Sequence, residues 1–345
     1  MDSRKVRILE AIVHDYVATT RPVGSERLIE VYKLGCKSAT VRNEMAEMAE
    51  MGYLEQPHTS AGRIPTDQGY RFYVNALMNP PAALSSTEAR QAEESLHSEP
   101  TEIEEIIIHT CRILSSLTSY PSLATDPVTE TTVLRRIFLT EANPRCILMV
   151  ALLSNGHVEH RLVEIPAPAE ENLLVRCANY VNTLVGDAEL SEVSARVAGC
   201  VIPSELQPQA PLLSRVLSAL LQMVASRLER RVFLEGMSQI LRQPEFKDVQ
   251  RLETLLFALE QRSAIYQMLH RAASQCDITI LIGSENEFEP MQECSIIMTS
   301  YFIGSRCAGY LGVVGPTRMH YDRGVAAVEL MAQNLSQMLT NFNLA

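Results

Sequence analysis

Lys37-Ser38-Ala39-Thr40-Val41-Arg42-Asn43-Glu44-Met45-Ala46-Glu47-Met48-Ala49-Glu50-Met51-Gly52 is the stretch on which the reading of this chain turns. Val41, Met45, Met48 and Ala49 recur at helical spacing and mark one inward stripe. Ser38 is expected to cap the helix, and Gly52 to end it through a left-handed turn. The outward face then carries Thr40, Arg42 and Asn43, with Lys37 and Ser38 just before it. Those are side chains that read base edges in the major groove. An Arg fork matches guanine O6 and N7, an Asn amide matches adenine N6 and N7, and Thr touches a thymine methyl. Lys37, Ser38 and the free N–H groups of the helix start suit phosphate.

Working outward, Val6, Leu9, Ile12, Val13, Tyr16 and Val17 predict a first helix over residues 3–18. Pro22 and Gly24 break it. Ser25 is expected to cap a second helix carrying Leu28, Ile29 and Tyr32, which Gly35 stops. Downstream, residues 53–56 read as a short strand and Arg63-Ile64 as its partner, with Pro57 and Pro65 beside them, which an all-edge hairpin tolerates. The tip between, His58-Thr59-Ser60-Ala61-Gly62, has small, hydrogen-bonding residues. Thr66 is expected to cap a fourth helix with Tyr70, Tyr73, Val74 and Leu77 on one face. Three helices and a basic hairpin make a winged helix-turn-helix. The DNA-binding candidates are Lys37, Ser38, Thr40, Arg42 and Asn43 from the helix, and His58, Thr59, Ser60 and Arg63 from the wing. The helical pattern alone fits equally a three-helix domain with Arg and Asn in solvent; the basic wing favours the DNA reading.

The run Ser38–Met45, then Gly52-Tyr53-Leu54, Pro57 through Thr66 and Gly69-Tyr70-Arg71, resembles the HrcA family of bacterial heat-inducible repressors. Two further blocks follow in the family's order: Pro244-Glu245-Phe246 with Asp248-Val249, and Ile282-Gly283-Ser284-Glu285-Asn286, Cys294-Ser295 and Gly309 through Met319. Gln239 and His320 depart from the family pattern, both away from the DNA-reading segment. The resemblance implies a homodimer that represses chaperone operons by binding an inverted-repeat operator of the CIRCE type, helped by a GroEL-type chaperonin. It also implies an α+β multidomain fold: the winged helix-turn-helix, then a GAF-like domain interrupted by a mostly helical, inserted dimerisation domain.

The chain has 345 residues, enough for two or three domains, and its 46% hydrophobic and 21% charged fractions are ordinary for a globular protein. Its net charge of −11 lies wholly after residue 80, because residues 1–80 hold ten basic and ten acidic side chains. A phosphate-facing patch therefore remains open to the N-terminal part. The longest apolar run, Cys146 to Leu153, is too short to span a membrane, and no secretory signal is visible. Eight scattered cysteines without a C-x-x-C pair read as free, mostly buried thiols of a cytoplasmic protein.

Proline and serine around 79–87 suggest a hinge. Strand-like runs follow at 133–139, 146–153 and 157–165, the last two joined by the turn pair Asn155-Gly156. Helical patterns fill 170–275, strands return at 278–282, 295–302 and 307–314, and a helix closes over 322–339. The expected division is 1–78 for the winged unit, 79–90 for a linker, 91–188 and 275–345 for the GAF-like domain, and 189–274 for the insertion. Leu217, Leu220, Leu221, Val224 and Leu228 form a stripe read first as core. His157 and His160 look like a metal pair, but on a hairpin they point to opposite faces. They are therefore expected in solvent. Gly309, Gly312 and Gly315 lie on a strand and read as turns, bulges or close packing rather than a phosphate loop. No local motif suggests a catalytic set, a cofactor or a metal, so an enzyme using its winged helix for protein contacts is the weaker reading. A regulator sensing a small molecule through the GAF-like domain is the main alternative.

Overall fold

The computed structural model describes residues 1–58, 61–78, 84–96, 102–127, 132–154, 156–165, 167–228, 232–272 and 278–344. Helix α1 (Ser3–Thr19) starts where the Asp2 carboxylate accepts from the N–H groups of Arg4 and Lys5, and ends on Thr20 in the left-handed region. Helices α2 (Ser25–Tyr32) and α3 (Ser38–Glu50) follow. Their serines do not cap them as expected. Gly24 and Lys37 occupy the cap positions without side-chain bonds, and the Ser25 and Ser38 hydroxyls instead bond each other at 2.8 Å, tying the two helix starts together. The second helix also ends earlier than expected, on Lys33 in the left-handed region. Gly52 at φ +82 closes α3, letting the Tyr53 N–H reach the Met48 carbonyl at 2.9 Å.

Strands β1 (Leu54–Glu55) and β2 (Ile64–Pro65) pair antiparallel, and the Thr66 hydroxyl caps α4 (Asp67–Ala76) by accepting from Gly69. Ile8, Leu9, Ile12, Leu28, Val41, Met48 and Tyr70 are buried between these elements. Each such burial stabilises by roughly 1.5–3 kcal/mol, against the cost of ordering the chain.

Of the expected linker, residues 79–83 lie outside the described part. The remainder is not a linker: α5 (Ser86–Leu96) begins there, with Leu84 and Ala92 buried. The Glu88 carboxylate meets Arg323 at 2.6 Å. Next come α6 (Ile103–Thr118) and β3 (Ser122–Thr125), after which the chain leaves this part of the molecule.

It forms β4 (Val133–Asn143), β5 (Cys146–Leu153), β6 (Val158–Glu164), α7 (Glu171–Val185), β7 (Ala188–Glu189), α8 (Leu190–Ala198) and α9 (Ala210–Leu228). The four strands make one antiparallel sheet, ordered β6-β5-β4-β7. Its inner face and the three helices share a core from Leu134 to Val224. Leu217, Leu220 and Val224 are buried in that core, as their spacing suggested, with Leu221 partly buried against it.

The chain then returns with β8 (Val232–Glu235), α10 (Val249–Glu260), α11 (Arg262–Ala272), β9 (Thr279–Ile282), β10 (Cys294–Ile303), β11 (Arg306–Pro316) and α12 (Tyr321–Leu344). A five-stranded sheet results, ordered β8-β3-β11-β10-β9. Residues of α6 and α12 pack on one face, residues of α10 and α11 on the other.

The interruption therefore runs over residues 132–228, not 189–274. Ala188 and Glu189 pair with Leu134 and Val133, so the expected boundary falls inside a strand of the inserted sheet. Residues 232–272 belong to the five-stranded unit. The change from strand-like to helix-like composition marks a change of element, whereas a domain boundary is a change of core. The described residues include no helix long and apolar enough to cross a membrane.

Candidate nucleic-acid interface

The rotation of α3 follows from what it buries. With Val41, Met45 and Met48 inward, Lys37, Arg42 and Asn43 are left exposed, while Thr40 and Ser38 are half-buried. Ser38 is further occupied by its bond to Ser25.

The hairpin is placed by a second pairing. Val23 and Arg63 exchange two backbone hydrogen bonds of 2.9 Å, so the segment before α2 acts as a third strand. The approach is close at Gly62, where a Cβ would lie 2.2 Å from the Val23 carbonyl oxygen. Only glycine fits there. The Gln56 amide closes the hairpin by donating to the Ala61 carbonyl at 3.0 Å.

This geometry opens a groove of about 460 Å³ between α3 and the hairpin, lined by both Arg42 and Arg63. Glu26, Ala46 and Gln56 also line it, and none of them was a candidate. Gln56 was visible as the end of the predicted strand and Ala46 as the residue one turn after Arg42 on the same helix; Glu26 reaches the groove only through packing. His58 is exposed at the hairpin edge, and Thr59 and Ser60 lie outside the described residues.

The N-terminal unit is neutral in sum, and only some of its cations are paired within it. Lys5 lies 2.9 Å from both Glu44 and Glu47, whose hydrogen bonds hold its ammonium above the ordinary lysine pKa. Arg4 also faces Glu44, and Arg27 bonds the buried Asp15 at 2.6 Å. Lys37, Arg42 and Arg63 enter no ion pair among the described residues. Arg4, Lys5 and Arg27 are thus neutralised within the unit, whereas Arg42 and Arg63 in the groove and Lys37 at the start of α3 stay open to an anion, as do Arg7, Arg21 and Lys33 elsewhere on the unit.

Elsewhere the chemistry is structural. The seven described cysteines are free thiols: Cys111, Cys177 and Cys294 are buried, Cys307 is exposed, and Cys36, Cys146 and Cys200 are intermediate. Burial pushes the Cys111 and Cys294 thiols up to about 12, far from reactive. Among the described residues no group of His, Cys, Asp and Glu is arranged to hold a metal. His160 is exposed as expected, but His157 is not: it packs beside buried Asp126, Nε2 to Oδ1 3.9 Å. Strand alternation, which concerns neighbours within the hairpin, does not reveal that contact. The β11 glycines are sites of close packing: a Cβ on Gly312 would lie 2.5 Å from the Ile297 carbonyl oxygen, and one on Gly315 2.9 Å from Tyr120.

The profile of the HrcA protein C terminal domain matches residues 104–325, more than half of the chain and all of the interrupted two-sheet region up to the start of α12. The chain belongs to the HrcA family. Two relatives named heat-inducible transcription repressor HrcA align along nearly the full length. That of Pelotomaculum thermopropionicum is 36% identical over 344 residues, covering 98% of this chain and 97% of its own. That of Moorella thermoacetica is 38% identical over 340 residues, covering 98% of each. Among solved structures, one described as a hypothetical protein at 2.2 Å resolution superposes with a TM-score of 0.66 at 24% identity, over 99% of both chains. This HrcA chain therefore shares its fold with an experimentally solved protein.

Proposed function

We propose that this chain is a DNA-binding repressor of heat-shock chaperone operons, acting in the cytoplasm as a homodimer on an inverted-repeat operator of the CIRCE type. One observation carries the reading: Arg42 and Arg63, unpaired among the described residues, line one groove between an exposed helix face and a hairpin. In this reading α3 enters the major groove, Arg42 and Asn43 contact base edges, and Lys37 with the start of α3 holds phosphate. Thr40 adds an apolar contact, Ser38 steadies the helix start, and Arg63 and His58 follow the backbone or minor groove. Thr59 and Ser60 are assigned to the same wing contact.

The inserted unit is read as the dimerisation domain and the five-stranded unit as GAF-like. The outer face of the inserted sheet supports the dimer: Phe138, Leu152, Val158 and Leu162 are exposed on it, beside half-buried Leu148 and Val150. A contiguous apolar face of this kind is an interface signature. A two-fold dimer then offers one reading head to each half of the repeat. The family reading adds a GroEL-type chaperonin that favours the competent repressor, and no catalytic role. The small-molecule-sensor alternative is the weaker one, since Leu255, Leu259, Ile265, Met268 and Leu269 fill the face of the five-stranded sheet beneath α10 and α11.

Fluorescence anisotropy with an inverted-repeat duplex and a scrambled duplex at equal salt tests the reading. A preference of about a hundredfold or more is expected. Arg42→Ala should cost about 1–3 kcal/mol on the repeat and relax base preference, while Lys37→Ala weakens all duplexes alike and flattens the salt slope by about one unit. Equal binding to both duplexes, with and without chaperonin, would refute the proposal.

A further inference from the structure

Several sequence blocks that take no part in reading DNA converge at one place in the fold. The Asp67 carboxylate, in the first turn of α4, accepts from both the backbone N–H and the hydroxyl of Ser284, each at 2.8 Å. Gly283, at φ +51, lies so near that a Cβ there would be 2.2 Å from the same carboxylate. One turn along α4, Arg71 places its fork on Glu285, with Nε to Oε1 at 2.7 Å, and also donates to the Ile280 carbonyl at 2.5 Å. The Tyr73 hydroxyl donates to Asp322 at 3.2 Å.

At the other end of this seam Arg318 is 7% exposed and grips Glu245 with its own fork. It also donates to the Gln243 side chain at 3.1 Å and to the Val17 carbonyl at 3.3 Å. Val17 sits in the last turn of α1, which has no basic residue of its own. Arg318 thus supplies, from the five-stranded unit, the cation that a helix C-terminus favours.

We propose that this seam is a positioning device: Asp67, Arg71 and Arg318 hold the winged unit at one angle on the five-stranded unit, which sets the spacing of the two reading heads in a dimer. The proposal rests on the DNA-binding reading above. Two features give it direction. Forked guanidinium–carboxylate pairs constrain angle as well as distance. The contacts of the seam come from α1 and α4, leaving Lys37, Arg42, Asn43 and His58 exposed. It therefore presents the reading face rather than covering it. Once one head is bound, the second half-site is met at an effective concentration set by geometry, and a loosened head lowers that concentration.

The test uses the full-length protein and two duplexes, one with the inverted repeat and one with a single half. Arg71→Glu should weaken binding to the repeat by about ten- to a hundredfold and leave the single half within about twofold. Adding Glu285→Arg, which restores an opposite-charge pair at two partly exposed positions, should regain most of the loss. Equal loss on both duplexes, an unchanged affinity, or no rescue by the double swap would overturn the proposal. Tighter binding by Arg71→Glu would overturn it too, by showing that the seam restrains the heads. A wild-type chain with no preference for the repeat would remove the DNA reading and this proposal together. A wild type that prefers the repeat, with variants that match it, would remove the seam alone.

Discussion

The two sheets of this molecule are built on opposite plans. In the five-stranded sheet every side chain of β10 from Cys294 to Met298 is buried, because helices cover both faces. In the inserted sheet β5 alternates: Ile147, Met149, Ala151 and Leu153 are buried, whereas Leu148, Val150 and Leu152 face outward with helices on one side only. β5 is apolar throughout, and β10 departs from that only at Ser295, Thr299 and Ser300. A buried sheet needs that pattern, but a half-open sheet does not, so the surplus apolar face of the insert requires a second explanation. The covered sheet is a scaffold, and the open one carries the surface proposed above for the dimer contact.

The sharpest way to break the comparison is to truncate neighbours along one strand in each sheet. Ile296→Ala and Ile297→Ala should each cost about 2–5 kcal/mol in chemical denaturation, since adjacent β10 positions fill different cores. If either were neutral, the two-sided packing would be wrong. Next in size is Gly312→Val, expected to cost about 1–3 kcal/mol by overpacking β11 against the Ile297 carbonyl and Met298. In the inserted sheet, Leu162→Glu should change monomer unfolding by less than about 0.5 kcal/mol, because this side chain is 63% exposed. It should nonetheless move the chain from dimer to monomer in analytical ultracentrifugation. An intact dimer would assign association to another surface. The smallest effect concerns the cover of the five-stranded sheet. Hydrogen bonds from Arg323 and then Ser85 hold the Glu88 carboxyl down to about 2, from an ordinary 4.5. Its contribution is therefore present above pH 4.5 and is lost as pH falls towards 2. Glu88→Gln should flatten that part of the acid-unfolding profile slightly.

Legibility in the sequence followed the range of the forces involved. The three helices, the Thr66 cap, the Gly52 turn and the hairpin were all readable from local spacing and turn chemistry. The serine caps failed because Ser25 and Ser38 are nearer to each other in space than their sequence separation suggests. Strand β8 was hidden within a helical stretch: Val232-Phe233-Leu234-Glu235 has no alternation of its own and is a strand only because β3 lies beside it. The candidate site was legible as a list of residues on α3 and the wing. Its groove was not, since Glu26 joins it only through the Val23–Arg63 pairing.

By itself the sequence determined the amphipathic helices, the turn residues that end them, the outward face of α3 and the family to which the chain belongs. These depend on neighbours within a turn or two of helix, or on residues kept in a recognisable order. Tertiary structure alone decided which strands share a core, where the insertion begins and ends, and which cations stay unpaired beside α3. It alone brought Asp67 to Ser284, Arg71 to Glu285 and Arg318 to Val17. Such partners lie hundreds of residues apart, and a charge carries no mark of its partner until packing has excluded the solvent that would otherwise hold it.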